Sequence, residues 1–372
     1  MVNSGFLYKT NVSLPKKMAI DIHSISKYFK AKRVIIPIIL GISVAFYLLF
    51  RDFNPQAFFQ INVNFQFFEY LFFSIFFLLL RDFFYILRLR ILTDYKLNWL
   101  RGFQIIMLWE FTSAITPSVV GGSAVAMFII HQDKISLGKS TAIVMITAIM
   151  DELFYIIAVP IAVMLSGVQQ IFPAAKFHLL GGDFHTQEVF WIGYLFIVLL
   201  NILLSVGIFV SPHKFKAVVT KLFKYRLLKK WQAKSEHFGD EIVATSKEFK
   251  NKPFKFWISS FGVTMLSWTS RFLVVNALIG AFSAVSLSQQ AEIFGRQLIM
   301  WVILLISPTP GGSGIAEFFF PVFLSDYIPV GLAPTLSFIW RLITYYPYLF
   351  AGFIIFPIWV KRIIKHRKKQ NN

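Results

Sequence analysis

Ser307-Pro308-Thr309-Pro310-Gly311-Gly312-Ser313-Gly314-Ile315-Ala316-Glu317 sits in the middle of an apolar stretch, residues 289–324. Two prolines and three glycines fall within 308–314, so no helix runs through it. The flanks are nevertheless as apolar as a membrane span. A second break, Pro117-Ser118-Val119-Val120-Gly121-Gly122-Ser123-Ala124-Val125-Ala126-Met127-Phe128, interrupts another apolar stretch, 102–130. Aligned on Gly-Gly, the two run on without gaps. Gly121/Gly311, Gly122/Gly312, Ser123/Ser313, Ala126/Ala316 and Phe128/Phe318 are identical, and Val125/Ile315 is conservative. The two breaks are read as an internal duplication.

Composition sets the solvent. Of 372 residues, 56% are hydrophobic and 15% charged, with 44 Phe, which is too little polar surface to cover a water-soluble core. There is no Cys, which excludes disulfides, thiolate metal sites and a Cys nucleophile. The first 33 residues lack the apolar core of a cleaved signal peptide. The net charge is +19. Residues 1–33 hold seven Lys/Arg and one Asp, 212–255 twelve Lys/Arg and four acids, and 361–372 six Lys/Arg and no acid. Those three segments supply the excess. The positive-inside rule accounts for them as cytoplasmic segments, without nucleic acid.

A span needs about 20 apolar residues. Residues 34–50, 67–87, 141–166, 189–210, 254–281 and 333–360 qualify as six spanning helices. Connections 51–66, 167–188 and 282–290 are near neutral and fall outside, so both termini lie in the cytoplasm and the chain in the cytoplasmic (inner) membrane. Stretches 102–130 and 289–324 are each too short for two spans and must start and end on one side. The fold expected is therefore an all-α polytopic membrane protein. It has six spanning helices plus two re-entrant helical hairpins, entering from opposite faces as an inverted repeat. Five segments result: a basic cytoplasmic N-terminal segment 1–33; a membrane half 34–211; a basic connector 212–253; a second membrane half 254–360; and a basic tail 361–372. Within 214–230, Phe215, Val218, Val219, Leu222 and Phe223 share a helical face opposite Lys and Arg, the pattern of a helix lying on an anionic leaflet.

Non-helical backbone at membrane depth must be buried or line a wet cavity. A Gly-Gly-Ser break opening a short helix offers free N–H groups and a positive dipole end to an anion; small residues allowing close helix crossing are the bland alternative. Gly121, Gly122, Ser123, Pro310, Gly311, Gly312 and Ser313 are thus candidate headgroup contacts. Arg81, Asp82, Glu110, Asp151, Glu152, Arg271, Arg296, Glu317 and Arg341 lie within apolar segments, where each costs at least about 2.5 kcal/mol. They form structural ion pairs, or they serve function. In the functional reading Arg271 and Arg341 bind phosphate, guanidinium matching it bidentately. Glu110, Asp151, Glu152 and Glu317 then meet a cationic group or carry a coupling proton. The seven His show no metal-ligand spacing, and no catalytic motif or cofactor fingerprint is present.

The break Pro117…Gly121-Gly122 with Lys134-Ile135-Ser136-Leu137-Gly138, the stretch 307–317, and Trp340-Arg341 with Gly352 resemble the lysylphosphatidylglycerol synthase/flippase transmembrane family. This is the membrane part of the multiple peptide resistance factor proteins, and the resemblance covers about 34–360. Members often carry Gly-Glu and then Arg after the first break, where this chain has Gly122-Ser123 and Met127. Bifunctional members add a soluble aminoacyl-transferase domain. This chain ends twelve residues after Val360, so the resemblance implies the lipid-translocating part without that domain.

The function expected is a lipid flippase-like transporter moving an amphiphile with an anionic phosphate headgroup between leaflets. Its partners are membrane lipids, either an anionic phospholipid or a polyprenyl phosphate, and the anionic inner leaflet through 212–253. A homo-oligomer is compatible with this reading; nucleic acid and cofactors are not part of it. The alternatives are a non-catalytic membrane partner delivering lipid or polyprenol intermediates to a separate enzyme, and a lipid-headgroup transferase using Asp151-Glu152. Reporter fusions test the topology. A reporter within 282–290 reads as external and one on the 361–372 tail as cytoplasmic; the same side for both contradicts the inverted arrangement.

Overall fold

The computed structural model describes residues 63–116, 118–179, 182–222, 232–305 and 309–371, together with 55–59 and the positions Ser43, Tyr47 and Phe50. The basic segment 1–33, most of the expected span 34–50, residues Pro117 and 306–308, and the connector positions 223–231 lie outside the described residues. The helices are α1 (Pro55–Phe59), α2 (Phe65–Leu92), α3 (Trp99–Ile115), α4 (Ser118–His131), α5 (Leu137–Ser166), α6 (Val168–Ile171), α7 (Thr186–Ser205), α8 (Pro212–Leu222), α9 (Gln232–Lys250), α10 (Phe254–Phe282), α11 (Leu287–Leu305), α12 (Ile315–Leu324), α13 (Ala333–Thr344) and α14 (Tyr346–Asn371). Local chemistry sets several starts. The side chains of Asn64, Asn98 and Ser136 accept hydrogen bonds from the N–H groups of Phe67, Arg101 and Lys139, capping α2, α3 and α5.

Among the described residues, five segments are long and apolar enough to cross a membrane: Phe65–Leu92, Leu137–Ser166, Thr186–Val210, Phe254–Phe282 and Ala333–Ile363. They coincide with five of the six expected spans. Two departures have local causes. The loop before α7 is not plain coil: Lys176–Leu179 and Gly182–His185 pair as a short antiparallel β-hairpin on an otherwise all-α membrane fold. The last span is broken at Tyr345 (φ −125, ψ −56), where α13 ends and α14 begins.

Each expected hairpin is a helix pair. α3 and α4 flank the first break, α11 and α12 the second. At a rise of 1.5 Å per residue, α4 reaches about 21 Å and α12 about 15 Å, short of the hydrocarbon thickness. The first break is packed through small residues. A Cβ on Gly122 would lie 2.0 Å from Ser113 Oγ, and one on Gly352 of α14 would lie 2.1 Å from Phe111.

The centre is the α2–α10 pair, which runs antiparallel. Phe67 meets Phe282 with ring centres 5.3 Å apart, Ser74 Oγ donates to the Val274 carbonyl (3.0 Å), and Ser267 Oγ donates to the Arg81 carbonyl (3.1 Å). Small side chains let the backbones approach where lipid offers no hydrophobic drive between helices. Two large apolar clusters pack around this pair. One joins α5, α7, α10, α11 and α12; the other joins α2 to α5 with α14. A small third one, Phe111, Ala114, Tyr345, Tyr346 and Leu349, lies at the breaks.

The second part of the connector, α9, packs on the protein. α9 reaches the start of α5, where Gly138 N–H donates to Glu241 (2.6 Å) and Lys139 Nζ to Glu248 (2.5 Å). Asp94, after α2, accepts from Lys139 (3.1 Å) and from Lys252 at the foot of α10. Partial burial works against the Asp94 charge, but the bonds from Lys252 and Lys139 outweigh it and hold the carboxyl below its usual range. A carboxyl with a depressed folded pKa contributes stability that is full above the unfolded value near 3.9 and is lost as pH falls through the folded one. Asp94→Asn therefore lowers the melting temperature of the purified protein at pH 7, and the difference from the parent shrinks below about pH 4. A difference unchanged between pH 7 and 3 contradicts this role.

A buried polar column between two chain breaks

The second break is built from left-handed glycines. Gly311, Gly312 and Gly314 have φ of 57, 67 and 82, positions that L side chains adopt at a cost. Pro310 opens a single 3-10 turn, Pro310–Gly312, and α12 starts at Ile315. Two of the N–H groups at the break are taken within the chain. Gly312 N–H donates to Thr309 O (3.1 Å) and Gly314 N–H to Glu317 Oε2 (2.7 Å). Glu317 is thus the anion at the start of α12. Arg341 closes the arrangement: Nε donates to Glu317 Oε1 (2.9 Å) and Nη2 to Gly311 O (3.1 Å) and Ser313 Oγ (3.4 Å). The expectation that Arg341 and Glu317 stand ready for a headgroup changes accordingly: they are buried at 6% and 5% exposure and bonded to each other and to the break.

The first break differs. Gly121, Gly122 and Ser123 lie inside α4, not in a left-handed turn, so the shared sequence takes two conformations. The two breaks nonetheless touch. Tyr345 Oη donates to the Ala114 carbonyl near the end of α3 (3.1 Å) and accepts from Ser313 Oγ (3.2 Å). A Cβ on Gly311 would sit 2.5 Å from the Tyr345 ring and 3.0 Å from Ala114 O.

From this contact a line of polar groups runs through the apolar interior. Three residues beyond Tyr345, Tyr348 Oη donates to Asp82 Oδ1 (2.8 Å) and accepts from Arg81 Nη1 (2.9 Å). Arg81 also bonds Asp82 (2.6 Å) and Glu110 of α3. Two turns along α2, Arg88 is paired with Asp151 of α5 and donates to Thr264 Oγ1 of α10 (3.2 Å). Trp268 Nε1–H completes Asp151 (2.7 Å). Between these groups lies Arg271, with its guanidinium 4.4 Å from the Trp301 ring centre and 5.2 Å from that of Trp268.

The expected residues therefore separate. Glu110, Asp151, Arg271, Glu317 and Arg341 line the column. Arg81 and Asp82 bond each other, but also α3 and α14. Glu152 has one buried oxygen, Oε2, without a hydrogen-bond partner among the described residues. Arg296 lies elsewhere, tying α11 to Gln170 O (2.7 Å), Phe323 O (3.0 Å) and Asp326 (2.6 Å). Arg88, one residue beyond the expected span 67–87, is buried at 2% exposure. Tyr85, Tyr155, Trp268, Trp301, Tyr345 and Tyr348 were missed. Four of them carried a signal in spacing: Arg81/Tyr85/Arg88 and Thr264/Trp268/Arg271 recur at i, i+4, i+7 on one helix face, and Arg341/Tyr345/Tyr348 repeat that spacing across the bend at Tyr345.

A helical multi-pass membrane fold with broken helices at its centre defines the class. Within it, residues 34–352 match the family described as "Lysylphosphatidylglycerol synthase TM region", and the chain belongs to that family. It is also 27% identical over 283 residues to a UPF0104 membrane protein of Archaeoglobus fulgidus, covering 72% of this chain and 80% of that protein. No solved structure matches it.

The Arg341–Glu317 pair yields a stability prediction. Arg341→Ala strands a buried carboxylate and costs about 3–5 kcal/mol, whereas Arg341→Ala with Glu317→Gln recovers much of that loss. Denaturation of the purified variants in detergent reads the difference; equal losses for the single and double variants contradict the pairing.

Proposed function

We propose that this protein is a lipid flippase-like transporter, moving an amphiphile with an anionic phosphate headgroup between leaflets while its chains stay in the bilayer. The observation that carries this reading is the buried polar column joined to two touching chain breaks. Ionisable groups at membrane depth in such number are expensive, and they mark a path for polar cargo. Broken helices meeting at the centre are the arrangement in which transporters hold substrate. Family membership supports a membrane role and is silent on the cargo.

In this reading the two halves are inverted repeats, each a long helix followed by a broken pair. The antiparallel run of α2 against α10 supports it. The conformer described is closed. Arg341, Ser313 and Tyr345 clasp the second break to the first, and release of that clasp admits a headgroup to the column. The chain sits in the cytoplasmic membrane with its basic end, including 361–372, inside. Gly311 and Ser313 act at the moving clasp, and Glu110 and Asp151 line the path beyond it.

Reconstitution tests this. Proteoliposomes carrying the full chain and labelled phospholipids or a labelled polyprenyl phosphate expose the inner-leaflet label to an added quencher faster than empty liposomes do. Gly311→Leu, which forces a side chain onto Tyr345 in a left-handed turn, reduces the rate roughly tenfold or more. No movement of any labelled lipid above the empty-liposome rate sinks the reading, and conversion of the lipid to a new species shows a transferase instead.

A further inference from the structure

Two neighbouring carboxyl groups on α5 have opposite surroundings. Asp151 is satisfied: Arg88 pairs with it, and Trp268 Nε1–H donates to it (2.7 Å). Glu152 is not. Its Oε2 is buried without a hydrogen-bond partner among the described residues. The one charge there that acts on it is Asp151, of the same sign. Glu152 is also the sixteenth of the 30 residues of α5, about 21–22 Å from either end, so it lies near the middle of a span.

Its neighbours offer no counter-charge. Positions 149, 152 and 156 share one face of α5, and α7 is bonded there on either side of Glu152. Asn201 Nδ2 donates to the Ile149 carbonyl (2.8 Å), and Tyr194 Oη to the Ile156 carbonyl (3.0 Å). The α7 stretch 189–210 contains no Lys, Arg, His, Asp or Glu. On the α10 side Arg88 is taken by Asp151, and Arg271 lies against Trp268 and Trp301. Tyr155 of α5 packs on Trp268 and Phe272 of α10. Arg296 of α11 is bonded to Asp326.

An ionised carboxylate without a partner is among the costliest groups in an apolar interior, and it escapes by taking up a proton. The neutral carboxyl costs far less, even with its hydroxyl unbonded. A hard metal cation needs several converging oxygens, and among the described residues no three acidic or histidine side chains come together. Glu152 is half-buried, so its proton can be exchanged. We propose that Glu152 is the coupling-proton site of this protein. It holds a proton in the conformer described and releases it, H+ leaving a carboxylate, when α7 parts from α5 at Asn201 and water reaches Oε2. Asp151 stays ionised against Arg88 throughout. The site's part in translocation rests on the function proposed above; its protonation does not.

Protonation is therefore measured apart from transport. Full-length protein in lipid bilayers is treated with dicyclohexylcarbodiimide, an apolar reagent that adds to protonated carboxyls, and labelled peptides are mapped by mass spectrometry. Glu152 is labelled and Asp151 is not. The rate falls at least about tenfold between about pH 6 and 9, and sodium at constant pH leaves it unchanged. No label at Glu152, equal label at Asp151 or a rate independent of pH overturns the site, and protection by sodium overturns the proton in favour of a metal cation. In proteoliposomes an imposed pH gradient speeds movement of labelled phospholipid severalfold. Glu152→Gln, held in the neutral form, abolishes that acceleration, and Glu152→Asp keeps part of it. Should Glu152→Gln fail to fold, carbodiimide-treated parent takes its place. Acceleration that survives both, or movement in the parent that ignores the gradient, overturns the coupling and leaves the flippase reading standing. A labelled Glu152 with no lipid movement under any gradient leaves the proton site standing and removes the flippase reading.

Discussion

Everything in this protein depends on how charge is kept inside an apolar slab. Arg81 is the pivot. Its guanidinium is shared among Asp82 on its own helix, Glu110 on α3 and the Tyr348 hydroxyl on α14, so one side chain fixes the relative positions of three helices. Desolvating such groups costs several kcal/mol per ion unless good geometry repays it. The packing around them follows. α2 and α10 close on each other through serines, Gly122 and Gly352 let neighbours approach within side-chain distance, and apolar clusters cover both ends.

The same requirement separates structure from function within the column. Groups that satisfy each other hold the helices in place, as Arg88–Asp151 and Arg341–Glu317 do. Arg271, given the faces of Trp268 and Trp301 in place of acceptors, is the exception. The left-handed turn at Gly311–Gly314 lies at one end of the same line. Its ties to Arg341 and Tyr345 are hydrogen bonds made from either side of the bend where α13 ends and α14 begins.

Much of the fold was legible in the sequence because membrane helices announce themselves by length and flanking charge. Both broken pairs were legible because Pro and Gly have few other uses in an apolar run. Three features were not. The bend at Tyr345 lies two residues before Pro347, whose missing N–H interrupts the helix there, but it was hidden in an apolar run long enough to read as one span. The β-hairpin at 176–185 is too short to leave a periodic signal. The shared Gly-Gly-Ser suggested one conformation where the structure has two, since Gly121–Ser123 sit inside a helix while Gly311–Gly314 precede one. For the site, the intramembrane charges could be named in advance but not paired. Arg341 and Arg271 look equivalent as letters, and only the third dimension gives one of them a carboxylate and the other two tryptophans. Four of the aromatic partners, Tyr85, Trp268, Tyr345 and Tyr348, were visible as i, i+4 or i+7 companions of those charges.

The central claim is that the column is a path and not merely a set of struts. The chain has no cysteine, so single cysteines can be introduced without removing any. The decisive measurement is labelling of Trp301→Cys and Glu110→Cys in membranes by a small charged thiol reagent, with Leu199→Cys and Phe196→Cys on the exposed apolar side of α7 as lipid-facing controls. A path predicts labelling at the two column positions, slowed by an added lipid with a phosphate headgroup, and none at the controls. Column positions as unreactive as the lipid-facing ones would contradict it.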